Sequence, residues 1–500
     1  MNRSPSSAVR PRSPVPARVP SADRAADPSH PLASLVPDDV VEIDCTDLIA
    51  KTGQAVGRSG GMVVYVLGPV PGERARVRID QVKPRYAVAD LVELLTVSPE
   101  RADPFCRVFG ACGGCQVQHL SYRAQLAWKR DLVASALRRI GNIMGARVGS
   151  PIGMESPRNY RNKMALVVDR EPPDGAARFG FYAARSHDVV PIDTCPIVLP
   201  QLDGYLGDLW TAARDPASAP AFDDAEHVIA RAGKSTGEGV VSITSIESSP
   251  GVERAGAALA ARLPGVVGIS NSFAPASENA VMGRRSVVAH GSAEMEERIA
   301  DVRFRVSPAS FFQVNSEMVG RIFAYVEPRL AGVRTIVDLY CGAGTFALYF
   351  AKRGARVIGI EENPNAIREA KANAALNGVE DRTTFVAGRV DATLRSKPMR
   401  GAIEAADVVF LDPPRKGSDE PTLAAIAVAR VPHVWYLSCN PATLARDLAY
   451  LLRNGYVLGA VQPFDMFPQT GHIEALATLD LAGATPIDFP LEEEPRARPR

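Results

Sequence analysis

The sequence predicts an α/β protein whose carboxyl-terminal part is a doubly wound, mostly parallel, Rossmann-like sheet. A small OB-like β-barrel and a central α+β unit precede it. Three observations carry the architecture. From about Phe304, apolar strand-length runs alternate with helix-length segments: TIVDLY, RVIGIE, TTFVAG, DVVFLD, HVWYLSC, YVLGAV and EALATLDL. That rhythm belongs to strand–helix–strand units. The first run opens into a glycine loop and the second ends on an acid, the layout of a nucleoside-binding edge. Between Val41 and Val97, short β-branched runs broken by glycines (GMVVYVLG, ERARVRI, YAVADLVELL) read as an antiparallel barrel of about five strands.

The bulk properties bound the rest. The 500 residues suggest about three domains at ~150 residues each, and 46% hydrophobic content is ample for their cores. No apolar run approaches the ~20 residues of a membrane helix, so no membrane partner and a cytoplasmic location are expected. Residues 1–36, rich in Pro, Ser and Arg without an apolar stretch, are expected to form a disordered tail rather than a secretory signal. The barrel then occupies 37–99, the central unit 100–305 and the doubly wound domain 306–483, which would be the S-adenosylmethionine-dependent methyltransferase domain if the resemblance given below holds. Residues 484–500 are expected to be a flexible tail. A helix within 120–149, with Leu126, Leu132 and Leu137 on one side, could pack on the catalytic domain. Strand-like ARFGFYAA, GVVSITSI and GVVGISNSF alternate with helix-like ERAGAALAARL in the central unit. A monomer is the default expectation.

The formal net charge is +1, so any nucleic-acid surface must be local. Arg74, Arg76 and Arg78 alternate on one strand and share a face, either a solvated face or a phosphate contact. The seven cysteines, with no secretory context, read as reduced thiols, ligands or catalysts. Cys106, Cys112 and Cys115, with the distant Cys195, supply four thiolates, enough for an iron–sulfur cluster or a zinc ion.

In IVDLYCGAGTFALYFAKRGARVIGIEENP, Gly342 and Gly344 let the backbone approach a ligand at a helix start. Glu361 ends the second strand, where an acid can bind ribose hydroxyls. The third glycine of dinucleotide sites is missing, which suits a ligand without pyrophosphate, such as S-adenosylmethionine. LDPPRKG puts Asp412 at the carboxyl edge of the sheet. Cys439 ends the fifth strand just before a helix, where the dipole favours a thiolate. If the last two strands form a hairpin, Glu474 begins an antiparallel strand at that same edge and comes near Cys439. A thiolate, a carboxylate base and a methyl donor are what carbon-5 methylation of a pyrimidine such as uracil needs. The thiolate adds to carbon 6, carbon 5 becomes nucleophilic, and a base then removes the carbon-5 proton.

FFQVN (Phe311–Asn315), DLYCGAGTF, LDPPRKG, SCNPATLARD and GHIEA, in this order, resemble the RNA 5-methyluridine methyltransferases. The resemblance runs from about Val41 to Leu481 and is nearest to the TRAM-domain, iron–sulfur-containing members that act on 23S ribosomal RNA. It implies Cys439 as nucleophile and Glu474 as base, with Gln313, Tyr340, Glu361 and Asp412 contacting S-adenosylmethionine. It also implies that uridine rather than cytidine is the acceptor, that the barrel is an RNA-binding TRAM domain, and that Cys106, Cys112, Cys115 and Cys195 hold a [4Fe-4S] cluster, with zinc as the alternative. YRNK at Tyr160 and GFYAARSH at Gly180 fit the family's central domain. One departure follows the third strand: where many members carry an acid near the adenine, Gly388 is followed by Arg389, with Asp391 further on. Three other readings stay open: a transfer RNA uridine-5 methyltransferase, an RNA cytosine-5 methyltransferase, and a non-catalytic RNA-binding protein.

Overall fold

A computed structural model of the chain describes residues 35–169, 175–273, 282–283 and 285–493. The expected tail over residues 1–34 therefore lies outside the described residues. The barrel strands are β1 (Val40–Asp44), β2 (Asp47–Leu48), β3 (Ala55–Ser59), β4 (Met62–Val66), β5 (Arg74–Val82) and β6 (Tyr86–Thr96), in the order β1-β5-β6-β4-β3-β2. There are six strands rather than about five, and β4 pairs with β6 in parallel. The long β6 leaves the β5 hairpin and continues beside β4, which closes the sheet. Period-two alternation buries Ala75, Val77 and Ile79 on β5 with Val64 and Val66 on β4. At Gly57 an added Cβ would lie 2.9 Å from Ile43, so only glycine lets β3 cross this close to β1.

The alternating arginines of β5 do share a face, and acids on both neighbouring strands occupy it. Arg74 and Arg76 pair with Glu42 at 2.9 and 3.1 Å, Arg76 also meets Glu93, and Arg78 meets Asp90 at 3.3 Å. This is a solvated, cross-strand ion-pair ladder of small energetic weight, not an unpaired basic stripe.

Helix α1 (Tyr122–Arg139) starts at Ser121, whose side chain accepts from Ala124 N at 3.2 Å. It packs on the catalytic domain and also reaches the barrel, where Trp128 Nε1 donates to Asp47 Oδ1 at 3.1 Å. The buried side carries Gln125, Trp128, Lys129, Val133 and Leu137. Of the expected apolar side only Leu137 is fully buried, because polar side chains fill this seam. Lys129 Nζ, fully buried, donates to Asp465 Oδ1 at 2.6 Å and to the Phe467 carbonyl at 3.0 Å. Removing one partner of such a pair typically costs ~3–5 kcal/mol.

The central unit is a mixed sheet ordered β13-β12-β11-β10-β7-β8-β9. Its strands are β7 (Lys163–Asp169), β8 (Arg178–Tyr182), β9 (Val189–Pro191), β10 (His227–Ala232), β11 (Gly239–Ser245), β12 (Val266–Phe273) and β13 (Arg285–Gly291). Helices α2 (Pro200–Ala212) and α3 (Pro250–Arg262) bury their apolar faces against it. The hairpin β14 (Met295–Ile299) and β15 (Val302–Val306), followed by α4 (Ser316–Val326), joins this unit to the last sheet.

That sheet contains β16 (Thr335–Leu339), β17 (Arg356–Glu361), β18 (Thr383–Ala387), β19 (Val408–Leu411), β20 (His433–Ser438), β21 (Tyr456–Phe464) and β22 (Glu474–Leu481), ordered β18-β17-β16-β19-β20-β22-β21. The first five are parallel; β22 enters antiparallel between β20 and β21. Helices α5 (Thr345–Lys352), α6 (Pro364–Asn377), α7 (Val390–Leu394), α8 (Lys397–Glu404), α9 (Glu420–Ala429) and α10 (Pro441–Arg453) cover the two faces. Residues 484–493 are not the loose tail expected. Phe489, 3% exposed, packs edge-on to Trp435 at 5.2 Å, and Tyr325 donates its hydroxyl to the Pro490 carbonyl. Ser150 and Gln462 hold the Glu492 backbone. The buried aromatic outweighs the charged composition that suggested a free tail.

Candidate active site

The turn after β16 is built for close approach. Tyr340, Gly342 and Gly344 all take positive φ (67°, 53° and 86°), the left-handed region that favours glycine. The amides of Tyr340 and Cys341 donate to the Ile360 carbonyl, which ties the turn to β17. Beside it opens a cleft of about 310 Å³, its solvent-facing part included, whose lining includes Gln313, Asp338, Tyr340, Gly342 and Asp412. Glu361 stands behind the glycine loop: its carboxylate accepts from Gly342 N at 3.3 Å and from Asn363 N at 2.8 Å. Gln313 donates from Nε2 to Asp412 at 3.2 Å, and Tyr340 shares its hydroxyl with Ser418 at 3.1 Å. Asp391 lies elsewhere, held by Arg389 and Arg395 at 3.1 Å each.

Asp338 was read in the sequence only as a strand residue. It is 1% exposed, lines the cleft, and neither carboxylate oxygen has a hydrogen bond of normal geometry. Burial, reinforced by Asp412 and Glu361, holds its carboxyl well above the ordinary range, with only a weak opposing pull from the Ala347 amide. An orphaned acid in a cleft suits a ligand with cationic groups. S-adenosylmethionine, with its sulfonium and ammonium, matches the charge of this lining.

The same burial has a pH consequence. A carboxyl raised in the fold stabilises fully below its unfolded pKa, and that contribution is lost as pH rises through the folded value. Asp338→Asn is therefore expected to raise the Tm of the ligand-free protein at pH 8, on the order of 2–4 °C, with the gain vanishing towards pH 4. The stabilisation produced by S-adenosylmethionine is expected to shrink in the same variant. A Tm difference that does not change with pH would show that Asp338 ionisation is not the cost.

At the reaction edge, Ser438 pairs with Ala475 in antiparallel register. The next residue on β20's exit, Cys439, therefore faces Glu474 at the start of β22. The LDPPRKG turn closes over both: Asn440 Nδ2 donates to the Arg415 carbonyl at 2.8 Å, and Thr443 Oγ1 reaches it at 3.3 Å. Glu474 is 4% exposed, and its Oε2 is buried without a partner. Burial and the neighbouring Asp412 push its carboxyl well up, against the pull of Arg415. Asp412 itself is raised to about 7, by burial first, against the Gln313 hydrogen bond. Each carboxyl thus opposes ionisation of the other.

Other groups act against the expected thiolate-favouring helix effect at Cys439. Burial, then the charges of Glu474 and Asp412, push the Cys439 thiol up to about 12, with Arg415 opposing. The helix start is already satisfied, since Asn440 Oδ1 caps it by accepting from Ala442 N at 3.1 Å. Arg415 and His472 (Nη2 to Nε2, 3.4 Å) complete the edge, with the imidazole pushed down to about 4 by burial and by Arg415. Sequence reasoning passed over both, although Arg415 stands inside the DPPRKG motif.

The structure also gathers the four cysteines. The turn carrying Cys106, Cys112 and Cys115 docks on the β8 exit, where Gly113 N donates to the Tyr182 carbonyl at 3.0 Å. Cys195 arrives from the loop after β9, and its amide donates to Asp203. Burial comes first in raising Cys112, Cys115 (to about 12) and Cys195 (to about 11), and the four thiols lie within electrostatic reach of one another. Among the described residues, no three of His, Cys, Asp or Glu converge tightly enough to hold a single metal ion. Cys45 and Cys341 are buried elsewhere.

The chain is similar to known proteins over most of its length. Residues 285–481 match the family model described as tRNA (Uracil-5-)-methyltransferase, and residues 39–92 match the TRAM domain. An uncharacterized RNA methyltransferase of Halalkalibacterium halodurans is 37% identical over 453 residues, covering 89% of this chain and 97% of that protein. Another from Caldanaerobacter subterraneus subsp. tengcongensis is 36% identical over 450 residues, covering 88% and 97%. Among solved structures, the Pyrococcus abyssi tRNA (uracil-54, C5)-methyltransferase in complex with S-adenosyl-L-homocysteine superposes with a TM-score of 0.68 at 26% identity, covering 88% of this chain and all of that one.

Proposed function

The chain belongs to the RNA (uracil-5-)-methyltransferase family, which uses S-adenosylmethionine, and from that premise we propose that it methylates carbon 5 of a specific uridine in 23S ribosomal RNA. The observation that carries the reaction is the meeting of Cys439 and Glu474 across β20 and β22, beside the cleft of the glycine loop. S-adenosylmethionine would supply an electrophilic methyl group. Cys439, as thiolate, adds to uracil carbon 6 and moves electron density onto carbon 5. Once carbon 5 carries the methyl group, Glu474 takes its proton, the double bond re-forms and the carbon–sulfur bond to Cys439 breaks. Gln313, Tyr340, Glu361 and Asp412 hold the methyl donor, and Asp338 joins them.

Cys106, Cys112, Cys115 and Cys195 would hold a [4Fe-4S] cluster in a structural or RNA-orienting role, because methyl transfer needs no net electrons. Ribosomal RNA is favoured by the TRAM domain together with the four cysteines. The likeness to a transfer RNA enzyme favours a second reading, in which transfer RNA is the substrate.

Radiolabelled methyl transfer to unmodified 23S ribosomal RNA and to transfer RNA in parallel, with nucleoside analysis, separates these readings. Label is expected in 5-methyluridine of the ribosomal RNA. Label confined to transfer RNA would shift the substrate, 5-methylcytidine would overturn the uridine assignment, and binding of RNA without binding of S-adenosylmethionine would favour the non-catalytic reading.

A further inference from the structure

Glu474 Oε2 is buried without a hydrogen-bond partner among the described residues, so the chain leading into β22 contributes to its position. That segment, 465–473, belongs to no strand, yet remote parts of the protein hold it. The amides of Gln116 and Val117, immediately after Cys115, both donate to the Gln469 carbonyl at 3.1 Å. Gln125 on α1 and Gln469 form a closed pair: Gln469 N donates to Gln125 Oε1 at 3.1 Å, and Gln125 Nε2 donates to Gln469 Oε1 at 3.0 Å. Gln125 Nε2 also reaches the carbonyls of Val117 and Leu120 at 3.0 and 2.9 Å. Gln116 Oε1 accepts from Gly471 N at 3.4 Å. The barrel closes the other side, where a Cβ on Gly471 would lie 1.8 Å from the Ala50 carbonyl.

Gln125 and Gln469 are 1% and 3% exposed. A buried polar pair is tolerated only when its bonds are made, and then it fixes one arrangement. Gln469 is itself held at φ +70°, a left-handed conformation unusual for a residue with a side chain. The clamp therefore constrains the conformation of the segment as well as its location.

We infer that Gln125 and Gln116 are positioning residues for the base: they lock the 465–473 segment so that Glu474 meets the carbon-5 proton. The cysteine turn thereby acts on the elimination step through Gln116 and Val117, with no electron transfer. This rests on the reading of Glu474 as the base. A misplacement of about 1 Å at a reacting group can cost on the order of 100-fold, so the effect falls on proton removal, not on Cys439 addition.

The test uses the full-length protein with its RNA substrate and S-adenosylmethionine, and compares Gln125→Leu and the milder Gln116→Ala with Glu474→Gln. Steady-state turnover is expected to fall by roughly 10- to 100-fold in Gln125→Leu and less in Gln116→Ala. S-adenosylmethionine affinity stays within about twofold, and both variants accumulate methylated RNA covalently joined to protein on denaturing gels, as Glu474→Gln does. A purely structural role would lose adduct formation and turnover together. Normal turnover in both variants, or loss of turnover without adduct, would overturn the positioning role. If Glu474→Gln itself forms no adduct, the assignment of the base fails, and the proposal fails with it.

Discussion

Cys439→Ala is expected to lose methyl transfer by on the order of 10^4- to 10^6-fold, the scale on which removing an enzyme nucleophile acts, while still binding S-adenosylmethionine. The cofactor cleft is lined from β16, the glycine loop, Gln313 and Asp412, so truncating the thiol takes no atom from it. Rapid-quench transfer assays together with calorimetric titration of S-adenosylmethionine would read both quantities. Residual transfer within a hundredfold of wild type would remove the covalent route. The raised thiol adds a second signature. With its pKa pushed up to about 12, Cys439 should react slowly with iodoacetamide in the resting enzyme, faster as pH rises. Glu474→Gln removes the largest charge acting against the thiolate and should speed that alkylation at alkaline pH, where Glu474 is ionised. Activation of the nucleophile thus depends on the charge state of Glu474 and Asp412, with Arg415 as the opposing cation.

Much of this site was legible from sequence because local periodicity carries it. Strand runs, the glycine loop and the terminal acid of β17 are short-range patterns. The hairpin of β21 and β22 follows from two adjacent apolar runs, and it places Glu474 opposite the exit of β20. What stayed hidden depends on pairs distant in the chain. The ion pairs over Arg74, Arg76 and Arg78 need Glu42, Glu93 and Asp90 from neighbouring strands. The polar seam of α1, read as a leucine face, is set by Asp465 and Gln469 more than three hundred residues away. The docked stretch at 484–493 is anchored by Phe489, with Ile487 and Leu491 packed beside it, ahead of the charged end of the chain. Asp338 looked like an ordinary strand residue because nothing local shows that its carboxylate lacks a partner. The helix-dipole argument for Cys439 was incomplete for a related reason: it counted the helix start but not two carboxyls brought in by other strands.

Glu474→Gln is expected to add the thiol and accept the methyl group but to stall before release, leaving RNA covalently bound and multiple turnover reduced by about 10^2- to 10^4-fold, the usual contribution of a general base. The amide keeps the shape of the side chain and cannot take the carbon-5 proton. The pH dependence separates this role from a packing role. A base works in its ionised form, and Glu474 is held above the ordinary carboxylate range by burial and by Asp412. In the wild type, product release should therefore quicken as pH rises through neutrality, where Asp412, raised to about 7, also gives up its proton. In Glu474→Gln that rise should disappear from the release step. Asp412→Asn removes the neighbouring negative charge, so it should move the rise to lower pH while weakening S-adenosylmethionine binding, because the Gln313 contact at 3.2 Å loses its charged acceptor. Single-turnover measurements of adduct decay between pH 6 and 9 would test all three enzymes together. Free turnover in Glu474→Gln with an unchanged pH profile would assign proton removal to another group, and His472, kept neutral beside Arg415, would be the next to examine.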